Sequence, residues 1–268
     1  MSRPVLLIVY RGVRFSPNSE ERDIAILKAV AQQLSGSYDL VEFSEDRWDA
    51  DAFMRQSKDC VLTMARSATV LASLRQAEQE GVRVINSPKG VEGCARSRVE
   101  AAMRRLGVPM APAEGEDGYW LKRGDAAAQT AEDVVFAPDK ASLADAIRKM
   151  EQRGVSDYTV SAHVSGDLVK FYGVRHTGFF RHYYPTDDGI TKFGDEQHNG
   201  MARHYPFDEA RLLMEAERLA GGVGVDVYGG DCIVRPDGSF CIIDFNDWPS
   251  FSRCREEAAR AIASLVEG

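Results

Sequence analysis

The sequence predicts an α/β N-terminal domain built on a parallel sheet, followed by an α+β domain with antiparallel sheets. Two observations carry this. Residues 1–92 alternate apolar strand runs with helix-period segments, the order that crossover helices and parallel strands require. Beyond residue 93 the strand runs follow one another closely, with few helices between them, as antiparallel sheets allow.

VLLIVY (Val5 to Tyr10) is a continuous apolar run, expected as a strand buried on both faces. Ile24, Leu27, Ala31 and Leu34 then recur at helical spacing. Leu40 to Phe43, Cys60 to Met64 and Val82 to Asn86 read as further strands, with a helix through Val70, Leu71 and Leu74. NSPKGVEGC breaks this pattern, so the boundary between domains 1–92 and 93–268 falls here. A helix through Val99, Met103 and Leu106 ends at Gly107. Strands follow at Tyr119 to Lys122, Val134 to Phe136, Tyr158 to Val164 and Leu168 to Val174, with one helix around Leu143 to Met150. Asp208 is placed to cap a helix carrying Leu212, Ala216 and Leu219, and the last helix shows Ala258, Ile262 and Leu265 on one face.

Composition narrows the function. The chain has 268 residues, 44% hydrophobic and 28% charged, and 33 Lys+Arg against 41 Asp+Glu give a net charge of −8. That balance argues against a nucleic-acid footprint spread over the surface. The first apolar run is far shorter than the roughly 20 residues that span a bilayer, so no membrane partner and a cytoplasmic location are expected. Five scattered cysteines without a CxxC read as small buried hydrophobes. The five histidines fall between His163 and His204 without the helical spacing of a metal site, and Trp248 is expected to pack.

The hairpin DCIVR-PDGS-FCIID carries the strongest chemical signal. Its loop, whether Pro236–Ser239 or the pair Asp237-Gly238, is centred between residues 237 and 238, which sets Asp231 directly opposite Asp244. Asn246 shares the face of Asp244 by strand alternation. Opposed Cβ atoms stand about 4.5–5.5 Å apart, so two like charges there repel. A hard divalent cation, Mg²⁺ or Mn²⁺, would remove the conflict, with substrate phosphates completing its shell.

GGDCIV followed by IDFNDWPS resembles the acid, acid-x-Asn and Pro-Gly signature of the ATP-grasp superfamily, with Pro249-Ser250 at its end. The order of the remaining pieces is similar too: GVPMAP, the strand YWLKRGD, the hinge strand YTVSAHVSGDLVKFYGV, then the hairpin. The resemblance implies ATP as a substrate and Mg²⁺ held by Asp231, Asp244 and Asn246. It implies Lys122 on the phosphates, the backbone of Ser161, Ala162, His163 and Val164 on the adenine, and Asp167 on the ribose. Arg96 or Arg98 in CARSR stands where the family's first ATP lysine falls, and Arg98 enters the candidate nucleotide set.

A small anionic acceptor is expected at the strand ends of the first domain. Arg11 and Arg14 follow the first strand, Arg66 follows the third, Ser250 joins this set, and the resemblance to the ribosomal-protein glutamate ligases adds Asn199, which sits near that group's Asn and Gly. Lys170 and Arg181 are the candidate catalytic cations. SGDLVKFYGV with FFR resembles the ribosomal-protein glutamate ligases, whereas the metal set with Lys170 and the basic loops resembles the inositol trisphosphate kinases. A carboxylate-amine or carboxylate-thiol ligase working through an acyl phosphate is the reading adopted. A small-molecule kinase and a noncatalytic ATP-binding module are its alternatives.

Overall fold

The computed structural model describes residues 3–16, 19–125, 130–188 and 198–268. The first sheet is parallel, with β1 (Val5–Tyr10), β2 (Asp39–Ser44), β3 (Cys60–Thr63) and β4 (Arg83–Ile85) in the order β2-β1-β3-β4. Alternation along β1 divides the core. Leu6 and Ile8 join a cluster with α1 (Glu20–Leu34), while Leu7 and Val9 join Phe53 of α2 (Ala50–Arg55) and Val70, Leu71 and Leu74 of α3 (Ala68–Gln79). The continuous apolar run is thus explained by burial on both faces.

After α4 (Pro88–Gly93) and α5 (Arg96–Leu106), which ends on Gly107 at φ 67°, two antiparallel sheets follow. One holds β5 (Tyr119–Arg123), β6 (Val134–Ala137) and β7 (Tyr158–Ala162), ordered β6-β5-β7, with α6 (Lys140–Gln152) against it. The other holds β8 (Asp167–Val174), β9 (Phe179–Tyr183), β10 (Val227–Val234) and β11 (Phe240–Asp247), ordered β11-β10-β8-β9. Helix α7 (Glu209–Val223) precedes β10, and the Asp208 carboxylate accepts from Arg211 N as the expected cap.

Three elements lie outside the sequence reading. Helices α2 and α4 are six residues each, too short to show a helical period, and β9 follows a turn containing His176 at φ 67° and Gly178 at φ 72°. The chain end returns to the first sheet: Ala258, Ala259 and Ile262 of α8 (Arg255–Glu267) share one cluster with Leu6, Ile8 and α1. A second tie is Asn86, fully buried at the exit of β4. Its Nδ2 donates to Val227 O at 2.7 Å, and its Oδ1 accepts from Asp226 N and Val227 N at 2.8 and 2.9 Å. The amide thereby holds the backbone at the start of the strand that carries Asp231. Among the described residues, no helix is long and apolar enough to cross a membrane.

Candidate active site

The hairpin brings Asp231 opposite Asp244 by a different route from the one the loop predicts. Arg235 N donates to Ser239 O at 2.8 Å, and Cys232, Ile233 and Val234 pair with Ile242, Cys241 and Phe240. The turn is therefore the three residues Pro236-Asp237-Gly238, with Gly238 at φ 79°, as a three-residue hairpin with a left-handed glycine prefers. On that register alone Asp231 would face Ile243. A bulge between Asp231 and Cys232 leaves Ile243 as the extra residue and restores the Asp231–Asp244 pairing. The bulge also frees the Ile243 carbonyl, which accepts from Lys122 Nζ at 3.0 Å.

The two acids do not stand alone. Lys170 on β8 pairs in register with Asp231, and its Nζ lies 3.0 and 3.1 Å from the two carboxylate oxygens. Arg96 Nε lies 3.6 Å from Asp244 Oδ1, and Asn246 Nδ2 donates to Asp244 Oδ2 at 3.3 Å. Burial pushes the Asp244 carboxyl up, but Arg96, Lys122, the Asn246 amide and Lys170 outweigh it and hold it below its ordinary value. The repulsion expected of two bare acids is thus met by protein cations. Two carboxylates and an amide oxygen on one face of the β10–β11 hairpin still form a hard-oxygen set that fits Mg²⁺ or Mn²⁺. Among the described residues, no group of three His, Cys, Asp or Glu converges, so a cation held here would draw on the Asn246 amide oxygen, water or substrate for the rest of its shell.

These residues line one cavity of about 800 Å³ that runs from the β5–β7 sheet to the exit loops of the parallel sheet. Lys122, Ser161, Ala162, His163 and Val164 line one end, Lys170, Asp231, Asp244 and Asn246 the middle, and Arg11, Arg66 and Ser250 the other end. Asn199 lines it as well, its Oδ1 accepting from Gly166 N at 3.3 Å. Among the described residues, seven cationic and four acidic ones line this space in a protein of net charge −8. Segment 126–129, after Lys122, lies outside the described residues.

Four expected site residues fall elsewhere. Arg98 is exposed and its Nη1 points to Glu92 O at 3.5 Å, because two positions along a helix turn a side chain by about 200° from Arg96. Arg96, its guanidinium also on Arg123 O at 2.8 Å, is the one in the cavity. Asp167 is buried, its carboxylate taken by the backbone N–H groups of Arg203 and Tyr205, both at 2.8 Å. Arg181 is exposed and paired with Glu257 of α8. Arg14 is exposed too, with its guanidinium 4.4 Å from the Phe15 ring centroid.

Arg11 and Arg66 are in place, but each meets an acid. Arg11 Nη1 donates to Asp23 Oδ2 at 2.9 Å and its Nη2 to Trp248 O at 3.1 Å; Arg66 Nη2 reaches Asp247 Oδ1 at 2.5 Å. Asp23, Asp247 and Trp120 are cavity residues that the sequence reading did not single out, whereas Arg96 is one of the two CARSR arginines it offered. Asp247 directly follows Asn246, and strand alternation turns it to the opposite face, where Arg66 from the exit of β3 meets it. Trp248 is fully buried, as expected of a packing residue. Cys60, Cys232, Cys241 and Cys254 are buried and unpaired, while Cys94 is half-buried.

Neither a protein-family model nor a curated protein matches the sequence. Solved structures do. D-alanyl-alanine synthetase A from Vibrio cholerae superposes with a TM-score of 0.70 at 12% identity, over 100% of this chain and 98% of that one. A RimK domain ATP-grasp protein from Sphaerobacter thermophilus gives 0.65 at 16% identity, over 99% and 100%. The chain has the ATP-grasp fold. D-cycloserine synthetase DcsG is similar as well, with a TM-score of 0.62 at 16% identity over 98% of this chain and 99% of that one. At such identities the likeness of an ATP-grasp fold carries the architecture, and function has to be argued from the site.

Proposed function

We propose that this protein is an ATP-dependent ligase that activates a small anionic carboxylate as an acyl phosphate and passes the acyl group to an amine or thiol. One observation carries this reading: a single cavity is lined both by Lys122, Lys170, Asp231 and Asp244 and by Arg11, Arg66 and Ser250. A module that only bound nucleotide would not need the second set of polar side chains. In this reading the backbone of Ser161 to Val164 holds the base, and Lys122 with Arg96 holds phosphate oxygens. Asp231, Asp244 and Asn246 would hold the divalent cations, whose chemistry is to neutralise charge on the transferring phosphoryl group. Lys170 stands beside the same centre, placed to meet charge that develops on transfer. The acceptor lies toward Arg11 and Arg66, with Ser250 and Asn199 on the wall. Asp23 and Asp247 offset those two arginines, so an acceptor of low charge is favoured over a polyphosphate. Two of the similar structures are synthetases named for small products, D-alanyl-alanine and D-cycloserine, which agrees with this choice.

An ADP-release screen over amino acids, small carboxylic acids and polyol phosphates, repeated with hydroxylamine, tests the proposal. An acyl hydroxamate is the expected product. A stable phosphorylated product formed without a second acceptor would overturn the ligase reading in favour of a kinase.

A further inference from the structure

The base end of the cavity contains a side-chain pair that backbone recognition does not require. Trp120 lies two residues before Lys122 on β5 and pairs in register with Ser161 on β7; His163 is two residues beyond Ser161. By alternation all four side chains share one face, and all four line the cavity. Trp120 Nε1 lies 3.1 Å from His163 Nδ1. An indole N–H can only donate, so Nδ1 accepts, and a neutral imidazole in that role carries its proton on Nε2. Burial, and then His198, lower the proton affinity of His163, while Asp117 opposes them; the neutral form prevails. The indole is braced from behind. Its centroid lies 5.2 Å from that of Phe136 and 5.1 Å from that of His198, and those two rings are 4.3 Å apart.

We infer that the Trp120–His163 pair is a base-recognition element, in which Trp120 fixes His163 as a neutral Nε2–H donor for a heteroaromatic base with a ring-nitrogen acceptor. This rests on the nucleotide reading proposed above and deepens it. The hinge backbone can bond only one edge of a base. The pair adds a second directional contact and an aromatic surface, both set before the ligand arrives. Because the indole N–H is committed to His163, neither residue can be replaced by an aliphatic of similar size without losing the donor.

The test separates base from phosphate. Calorimetry measures binding of Mg-ATP, and of Mg-tripolyphosphate, which has the phosphates and no base, to wild type, Trp120→Phe and His163→Phe. Both variants keep a ring and lose the hydrogen bond. Each should bind Mg-ATP about tenfold more weakly, the size of one good hydrogen bond, with tripolyphosphate held within about twofold. Equal losses for both probes would make the pair a mere brace of the small sheet, and unchanged Mg-ATP binding would remove it from recognition; either result overturns the inference. Trp120 emission, assigned by difference from Trp120→Phe, should change on adding Mg-ATP and stay level with tripolyphosphate. Wild type that binds no Mg-ATP would instead sink the nucleotide reading itself, and this inference with it.

Discussion

Lys170 Nζ lies 3.0 and 3.1 Å from the two oxygens of Asp231, the acid that pairs across the hairpin with Asp244. A protein cation thus takes the role that a divalent ion alone would otherwise have to fill. Lys170→Gln removes it and leaves the acids facing each other. Both side chains of the ion pair are about a quarter exposed, so the cost without ligand is about 1 kcal/mol at most. Mg²⁺ or Mn²⁺ alone should then raise the melting temperature more than it does in wild type, because the ammonium no longer competes for Asp231. An identical metal response in the two proteins would show that lysine and cation do not share the site.

Asp244 is held below its ordinary pKa, and the sign of its contribution follows. A carboxyl depressed in the fold stabilises it above the unfolded value of about 3.9, and that stability is lost as pH falls through the folded value. Asp244→Asn should therefore lower the melting temperature at neutral pH, by roughly 2–4 °C if the contribution is about 1 kcal/mol. The gap should persist down to about pH 4 and close below it. Stabilisation by Mg-ATP should largely vanish. A variant as stable as wild type at neutral pH would mean that the cations around Asp244 do not favour its charge.

The two arginines of CARSR give a clean contrast on one helix. Arg96→Ala should weaken Mg-ATP about tenfold, as loss of a charge-assisted contact does, whereas Arg98→Ala should leave the affinity unchanged. Calorimetry on both decides it. Equal effects would return Arg98 to the nucleotide set.

What the sequence made legible follows from locality. The apolar run of β1 and the Asp208 cap are local signals, and both elements formed where expected. The opposition of Asp231 and Asp244 was reached although the three-residue turn and the bulge at Ile243 each move the register by one, in opposite senses. Asp167 shows the limit: it lies in the hinge segment, but the amides of Arg203 and Tyr205, more than thirty residues away, take its carboxylate. Asp23 and Asp247 were missed for the same reason, since their partners Arg11 and Arg66 come from other elements, and chain spacing does not encode those encounters.

Glu45, at the exit of β2, is the residue on which the cavity end proposed for the acceptor hangs. It is 8% exposed, and its carboxylate accepts three backbone N–H groups: Gly12 N on Oε2 at 2.7 Å, and Arg66 N and Ser67 N on Oε1 at 2.9 and 2.5 Å. The neighbouring Asp46 accepts from Val13 N at 2.9 Å. One side chain therefore ties the exit loops of β1 and β3, the loops that carry Arg11 and Arg66. Gly12 allows this approach, since a Cβ there would meet Asp46 Oδ1 at 2.8 Å and Glu45 Oε2 at 3.2 Å. Glu45→Gln keeps the shape but offers one acceptor oxygen, so at least one amide must face an NH₂ group that cannot accept. A buried N–H left in that state costs about 1–3 kcal/mol. The expected result is a lower melting temperature, faster amide exchange at Gly12 or at Arg66 and Ser67, and a raised acceptor KM with the ATP KM intact, because the nucleotide end draws on other elements. Unchanged exchange at all three amides would show that Glu45 does not hold the loops, and an equal rise in both KM values would show that it holds more than the acceptor end.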